Sequence, residues 1–192
     1  MLRFFKQLLG RRKIELKIIL LGLDAAGKST FLKRMKLNEY VFVTTTMGFN
    51  QEFVELENLK LRVLDLGGQS TFRGTLWPGL LQEGADIIIF VVDAHDTKRI
   101  SDSEVELRSL LKIEELKSAS LCILANKQDL EGALDPEDLM LRLGLVATPV
   151  DRSILVFPTS MVTGEGLEGV YTWIKTEAEK QFQKEAKWLR ND

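Results

Sequence analysis

The chain has 192 residues, 45% of them hydrophobic and 28% charged, which suits one globular domain large enough to bury a continuous core. Its formal net charge of −2 lacks the basic excess of a general nucleic-acid binder, so no nucleic-acid partner is expected. A lone cysteine, Cys122, excludes an internal disulfide and suits a reducing, cytoplasmic compartment, and no apolar run approaches the roughly 20 residues that cross a bilayer.

Residues 1–13 stand apart in composition. In Met1 to Gly10 a helix would put Leu2, Phe5 and Leu9 on one face, Phe4 and Leu8 beside them, and Arg3, Lys6 and Gln7 opposite. Gly10 is a suitable C-terminal stop, and Arg11-Arg12-Lys13 follow as a cationic cluster. The apolar part is short, Lys6 interrupts it and no small-residue cleavage site follows, so a secretory signal is not the reading. Two readings remain: the helix packs on its own domain, or it lies in a membrane interface. Burying one Leu or Phe is worth about 1.5–3 kcal/mol, and each basic residue near an anionic leaflet about 1 kcal/mol. Such an element suffices for weak, reversible membrane association.

The apolar strand Leu16 to Leu21 runs into Gly22-Leu23-Asp24-Ala25-Ala26-Gly27-Lys28-Ser29, and Ser29 to Leu37 reads as a helix. This fits G-x-x-x-x-G-K-[ST] in its required setting of strand, glycine-rich turn and helix. Backbone N–H groups and a helix N-terminus then converge on a polyphosphate, with Lys28 bridging the outer phosphates and Ser29 ligating Mg²⁺. A glycine-bearing turn could match by accident; the flanking elements argue against it.

Asn38 to Thr46 reads as a loop, followed by strands Phe49 to Leu56 and Leu59 to Leu66 joined by a tight turn at Glu57-Asn58, an antiparallel hairpin. The second strand delivers Asp65-Leu66-Gly67-Gly68-Gln69. Its Asp is suited to the Mg²⁺ shell, directly or through water, and a Gly N–H to a terminal phosphate. Ala85 to Asp93 reads as a buried parallel strand, and Ser101 to Leu116 as a helix with Val105, Leu107, Leu111 and Ile113 in the core. No chemistry is assigned to either. His95, the only histidine, is read as a surface residue.

The strand Leu121 to Ala125 ends in Asn126-Lys127-Gln128-Asp129. Such residues can simply cap a strand. They can also read a base: a carboxylate accepts two hydrogen bonds from the N1–H and N2–H₂ edge of guanine, which adenine lacks, and rejects the analogue by on the order of 10⁴-fold. In that reading Asp129 binds guanine, Lys127 lays its stem over the ring and Asn126 ties the loop to the phosphate loop. Ser153 to Phe157 reads as a further buried strand ending in Pro158-Thr159-Ser160-Met161. A last helix begins near Leu167 with Val170, Trp173 and Ile174 inward; beyond residue 180, Phe182, Ala186 and Leu189 share one face, either a bare surface helix or a partner site.

Taken together, residues 22–30, Thr46-Met47-Gly48-Phe49-Asn50, residues 65–69 and residues 126–129 make the chain resemble a small GTPase of the Arf (ADP-ribosylation-factor-like) family over roughly residues 14–178. The resemblance implies guanine-nucleotide contacts from Asp24, Ala25, Ala26, Gly27, Lys28, Ser29, Thr30, Thr46, Gly68, Asn126, Lys127, Asp129, Ser160 and Met161. It also implies Mg²⁺ held by Ser29, Thr46 and, through water, Asp65. Thr46 would sense the γ-phosphate, Gly68 would donate its N–H to it, Gln69 would orient the attacking water, and Met161 would offer its N–H to the base. Asp24 goes with slow unaided hydrolysis in this family, so an activating protein would supply an arginine finger, typically worth about 10³–10⁵ in rate. An exchange factor and effectors acting through the switch segments are further implied partners, and the chain is expected to be a monomer. The N-terminal helix would pack on the domain with GDP and be expelled when the 49–66 hairpin slides on GTP binding, giving reversible peripheral membrane association from the cytoplasm.

Departures from the family pattern are Leu2 in place of the glycine that is myristoylated, Thr45 in place of proline, Leu64 in place of tryptophan, and a longer segment from Ser70 to Gly84. The expected architecture is α/β: a three-layer phosphate-loop small G domain at 14–179 with six strands, one antiparallel, and helices on both faces, preceded by the helix 1–13 and followed by the extension 180–192. A non-hydrolysing GTP-binding scaffold with its N-terminal helix permanently packed is the alternative. An ATP-using kinase is disfavoured by Asp129.

Overall fold

The computed structural model describes residues 14–37, 48–57, 59–66, 79, 81–145 and 154–188, with side chains described as far as residue 183. The amphipathic segment 1–13, Thr45, Thr46, Gly68, Gln69 and most of Ser70 to Gly84 lie outside them.

Among the described residues, β1 (Ile14–Leu21), β2 (Phe49–Leu56), β3 (Leu59–Leu66), β4 (Ile87–Asp93), β5 (Ser120–Asn126) and β6 (Ile154–Pro158) form one sheet in the order β2-β3-β1-β4-β5-β6. β2 runs antiparallel to β3, and every other neighbouring pair is parallel. The hairpin register pairs Leu56 with Leu59, and Glu57 takes the left-handed φ of 55° that a two-residue loop between twisted strands favours. Among the described residues, the sheet is covered by the α-helices α1 (Lys28–Leu37), α2 (Ile100–Leu111), α3 (Pro136–Arg142) and α4 (Leu167–Trp188).

The period of two along each strand sorts the core into two layers. Ile19, Leu21, Ile88, Phe90, Leu121 and Ile123 face Ile100, Leu107 and Leu110 of α2 and Leu139 of α3. The alternate residues Ile18, Leu20, Ile87, Ile89, Cys122 and Leu124 face Phe31, Leu32 and Met35 of α1 and Val170, Ile174 and Ala178 of α4. Covered on both faces, β4 has to be apolar throughout, and Ile87 to Val92 are all buried. Burial pushes the Cys122 thiol up, with Glu177 adding to the effect, so this buried thiol behaves as a small packing group.

Three expectations need correction. The helix after β4 spans Ile100–Leu111, not 101–116; Ile113 is extended and Glu114–Leu116 forms a separate 3₁₀ turn. The inward stripe of α2 is Ile100, Ser103, Leu107 and Leu110, which leaves Val105 on the opposite face and 61% exposed. β6 is the sheet's far edge and is only half covered, with Leu155 42% exposed. Val170 and Ile174 are buried as expected, while Trp173 is half-buried against Phe157, ring centroids 6.2 Å apart. α4 continues through residue 180 without a break.

β1 lies between β3 and β4, so the strand order departs in two directions from its carboxyl end. That crevice is where open α/β sheets bind ligands.

Candidate functional site

Among the described residues, three loops that leave the carboxyl ends of parallel strands build the site: 22–27 after β1, 127–130 after β5 and 159–166 after β6. Side-chain bonds join them. The first loop is shaped by its glycines. Gly22 has φ 136°, and a Cβ there would sit 2.1 Å from the Val91 carbonyl oxygen on β4; Gly27 has φ 108°, and its Cβ would sit 2.3 Å from Asn126 Nδ2. Of the non-glycine residues with positive φ among those described, Ala25 (58°) and Lys127 (71°) lie in the first and second of these loops. Such backbone strain, of order 1–3 kcal/mol per residue, gathers at functional sites.

Lys28 is buried at 6% exposure, and its Nζ donates to the Gly22 and Leu23 carbonyls at 3.1 and 2.7 Å. The ammonium is thus held within the curve of the loop. Ser29, at the start of α1, donates from Oγ to Oδ2 of the buried Asp65 at the end of β3. These adjacent hard oxygens fit Mg²⁺, which commonly takes one or two protein ligands and completes its shell with phosphate and water. Thr30 follows in the first turn of α1 and is half-buried.

Asn126 joins three loops. Its Nδ2 donates to Ala26 O at 2.7 Å, and its Oδ1 accepts the Met161 N–H at 3.1 Å. Asp129 is exposed, and its Oδ1 accepts from Ser160 Oγ at 2.6 Å. The Val162 and Thr163 N–H groups in turn donate to that Ser160 oxygen at 3.2 and 3.1 Å. One carboxylate oxygen of Asp129 is oriented by the protein, and a carboxylate has lone pairs enough to accept further bonds. The structure therefore brings together Asp24, Ala25, Ala26, Gly27, Lys28, Ser29, Thr30, Asp65, Asn126, Lys127, Asp129, Ser160 and Met161 at one end of the sheet. Thr46, Gly68 and Gln69 lie outside the described residues.

Three contributors escaped the motifs. Asp93, at the end of β4, binds Lys127 Nζ through Oδ2 at 2.6 Å, anchoring the head of the side chain whose stem is expected to cover a base. Arg34 on α1 donates to the Met161, Val162 and Thr163 carbonyls at 3.0, 3.1 and 3.2 Å, tying the last loop to the phosphate-loop helix. Arg99 pairs with Asp96 and Asp24. Asp93 had a legible signal, an acid closing an otherwise apolar parallel strand beside other strand ends. Arg34 had none, because only tertiary folding brings it to the 161–163 carbonyls.

The chain matches the model of the ADP-ribosylation factor family over residues 1–178. It is 42% identical over 178 residues to ADP-ribosylation factor-like protein 1 of Caenorhabditis elegans, covering 93% of this chain and 96% of that protein. The Drosophila melanogaster protein of the same name is 43% identical over 173 residues, covering 90% and 93%. Among solved structures, the Arl6 BBS3 small GTPase from Trypanosoma brucei, with bound nucleotide analogue GppNp, superposes with a TM-score of 0.79 at 29% identity, covering 87% of this chain and 99% of that one. The mammalian SRP receptor, at TM-score 0.72 and 18% identity over 84% of this chain and 99% of that one, shares the fold. The phosphate-loop geometry, the sheet order and these likenesses agree: the chain belongs to the Arf family of small GTPases, whose members hydrolyse GTP.

Proposed function

We propose that this chain binds GDP and GTP with Mg²⁺ and works as a nucleotide-dependent switch. The observation that carries the reading is Asn126, whose side chain bonds both Ala26 of the phosphate loop and Met161 of the last loop. A base seated at Asp129 and phosphates seated at residues 24–30 are thereby held in one register. Asp129 accepts from the guanine edge with Ser160 holding its other oxygen, and Lys127, fixed by Asp93, covers the ring. Lys28 and the loop amides would take the phosphates, and Ser29, Thr46 and, through water, Asp65 would hold the metal. Mg²⁺, when bound, neutralises charge developing on the phosphate oxygens. Gln69 orients a water for in-line attack on the γ-phosphorus while Gly68 donates to that phosphate, and GDP and inorganic phosphate leave.

Single-turnover phosphate release tests the hydrolytic part. Gln69→Leu is expected to slow release at least about tenfold with GDP affinity unchanged, because only orientation of the water is lost; release at the parental rate would remove Gln69 from this role. Exchange factors, activating proteins and effectors are proposed to act through the switch segments of a monomeric chain.

The same switch is proposed to release residues 1–13 to an anionic membrane from the cytoplasm. Flotation with anionic vesicles should recover the chain carrying a non-hydrolysable GTP analogue and not the chain carrying GDP, and deletion of residues 1–13 should abolish the difference. A difference that survives the deletion would place the coupling elsewhere. Equal behaviour of the full chain in both states would favour the alternative in which the helix stays packed.

A further inference from the structure

Asp24 is the one carboxylate in the loop Gly22 to Ser29, and its side chain meets a residue that no motif includes. Arg99, at the entrance to α2, donates from Nη1 to Asp24 Oδ1 at 3.2 Å and from Nε to Asp96 Oδ2 at 2.7 Å. Asp96 is itself placed, since its backbone N–H donates to Asp93 Oδ1 at 3.2 Å, and Asp93 holds Lys127 through its other oxygen at 2.6 Å. The Arg99 side chain is 34% exposed and stands at a shallow recess beside the phosphate loop, lined by Leu23, Asp24, Asp93, Asp96, Arg99 and Ser103. Hydrogen bonding to Asp96 and the charge of Asp24 both reinforce the cationic form of Arg99, and Arg99 in turn holds the Asp96 carboxyl below its usual range.

A carboxylate in a loop that wraps a polyphosphate faces charge of its own sign, and the repulsion grows with each phosphate. GTP carries one phosphoryl group more than GDP, so an untethered Asp24 would penalise GTP more. Arg99 opposes this in two ways: it draws the carboxylate toward α2 and supplies a compensating charge at its oxygen. We infer that Arg99 is a positioning residue that holds Asp24 aside and neutralised, and so sets the affinity of the phosphate loop for GTP relative to GDP. This rests on the guanine-nucleotide reading above.

Equilibrium competition against fluorescent GDP on the full chain, in Mg²⁺, measures the ratio of affinities for a non-hydrolysable GTP analogue and for GDP. Arg99→Gln should lower that ratio about tenfold, a change of about 1.4 kcal/mol. Arg99→Lys, which keeps the charge without the two-point fork, should give an intermediate ratio. In an Asp24→Asn background, where the repelling charge is gone, Arg99→Gln should leave the ratio unchanged. A ratio unmoved by Arg99→Gln, or an equal fall in the Asp24→Asn background, would overturn the inference alone, the latter showing that Arg99 merely supports the start of α2. Failure of the parent chain to bind either nucleotide would overturn the guanine-nucleotide reading and this inference with it.

Discussion

Asp129→Asn is expected to weaken GDP binding by on the order of 10⁴-fold and to move the preference to xanthosine diphosphate. The size of the effect follows from the pairing of two donors with acceptors rather than from bulk charge. Guanine presents two donors on one edge, and the carboxylate of Asp129 is acceptor-only. Asn keeps one oxygen, which can still accept from Ser160 Oγ where Asp129 Oδ1 now does at 2.6 Å, so the loop keeps its shape. The other oxygen becomes an NH₂ that opposes a guanine donor, leaving both unpaired, whereas xanthine offers an oxygen there. Competition of GDP and xanthosine diphosphate against fluorescent GDP on parent and variant reads the exchange. Unchanged GDP affinity would remove Asp129 from base recognition.

The largest expected effect on stability comes from Gly22→Ala. At φ 136° an L-residue is strained, at a cost of about 1–3 kcal/mol, and the new Cβ would lie 2.1 Å from the Val91 carbonyl oxygen. That oxygen belongs to the backbone of a central strand and cannot turn aside. Overpacking of this kind costs typically about 1–3 kcal/mol more. A summed loss of about 4 kcal/mol should lower Tm by roughly 10 °C in a chain of this size. Gly132→Ala separates the two causes: its φ of 83° is also unfavourable, but nothing lies within 4 Å of a Cβ there. It should cost only about 1–2 kcal/mol. Thermal melts of both variants compare them directly, and equal losses would mean that the contact with β4 contributes nothing.

Much of this was legible in the sequence because each motif carries its own local cause. The hairpin bounds at Phe49–Leu56 and Leu59–Leu66 were readable, since short alternating strands around a two-residue turn admit few registers. The phosphate loop was readable because its glycines are required by contacts with β4 and Asn126. Val105 is exposed where its sequence predicts core, because an apolar side chain within a helix does not announce which face it occupies, and the stripe through Ile100, Ser103, Leu107 and Leu110 includes a serine. β6 is half covered where its sequence predicts burial, because an edge strand and a central one can share the same apolar run, and only the sheet order separates them. Arg34 and Arg99 belong to the site through tertiary pairing alone: 127 positions separate Arg34 from Met161 and 75 separate Arg99 from Asp24. No local pattern encodes such pairs.

If one end of the sheet selects guanine nucleotide, with Asn126 holding the base loop and the phosphate loop in register, then adenine nucleotide must compete poorly for it. The most direct test is competition of GDP, GTP and ATP against fluorescent GDP on the unaltered chain in Mg²⁺. GDP and GTP should displace the probe, and ATP should do so at least about 10³-fold more weakly. Displacement by ATP at the same concentrations as GDP, or no binding of the probe at all, would rule out guanine selection at this end of the sheet.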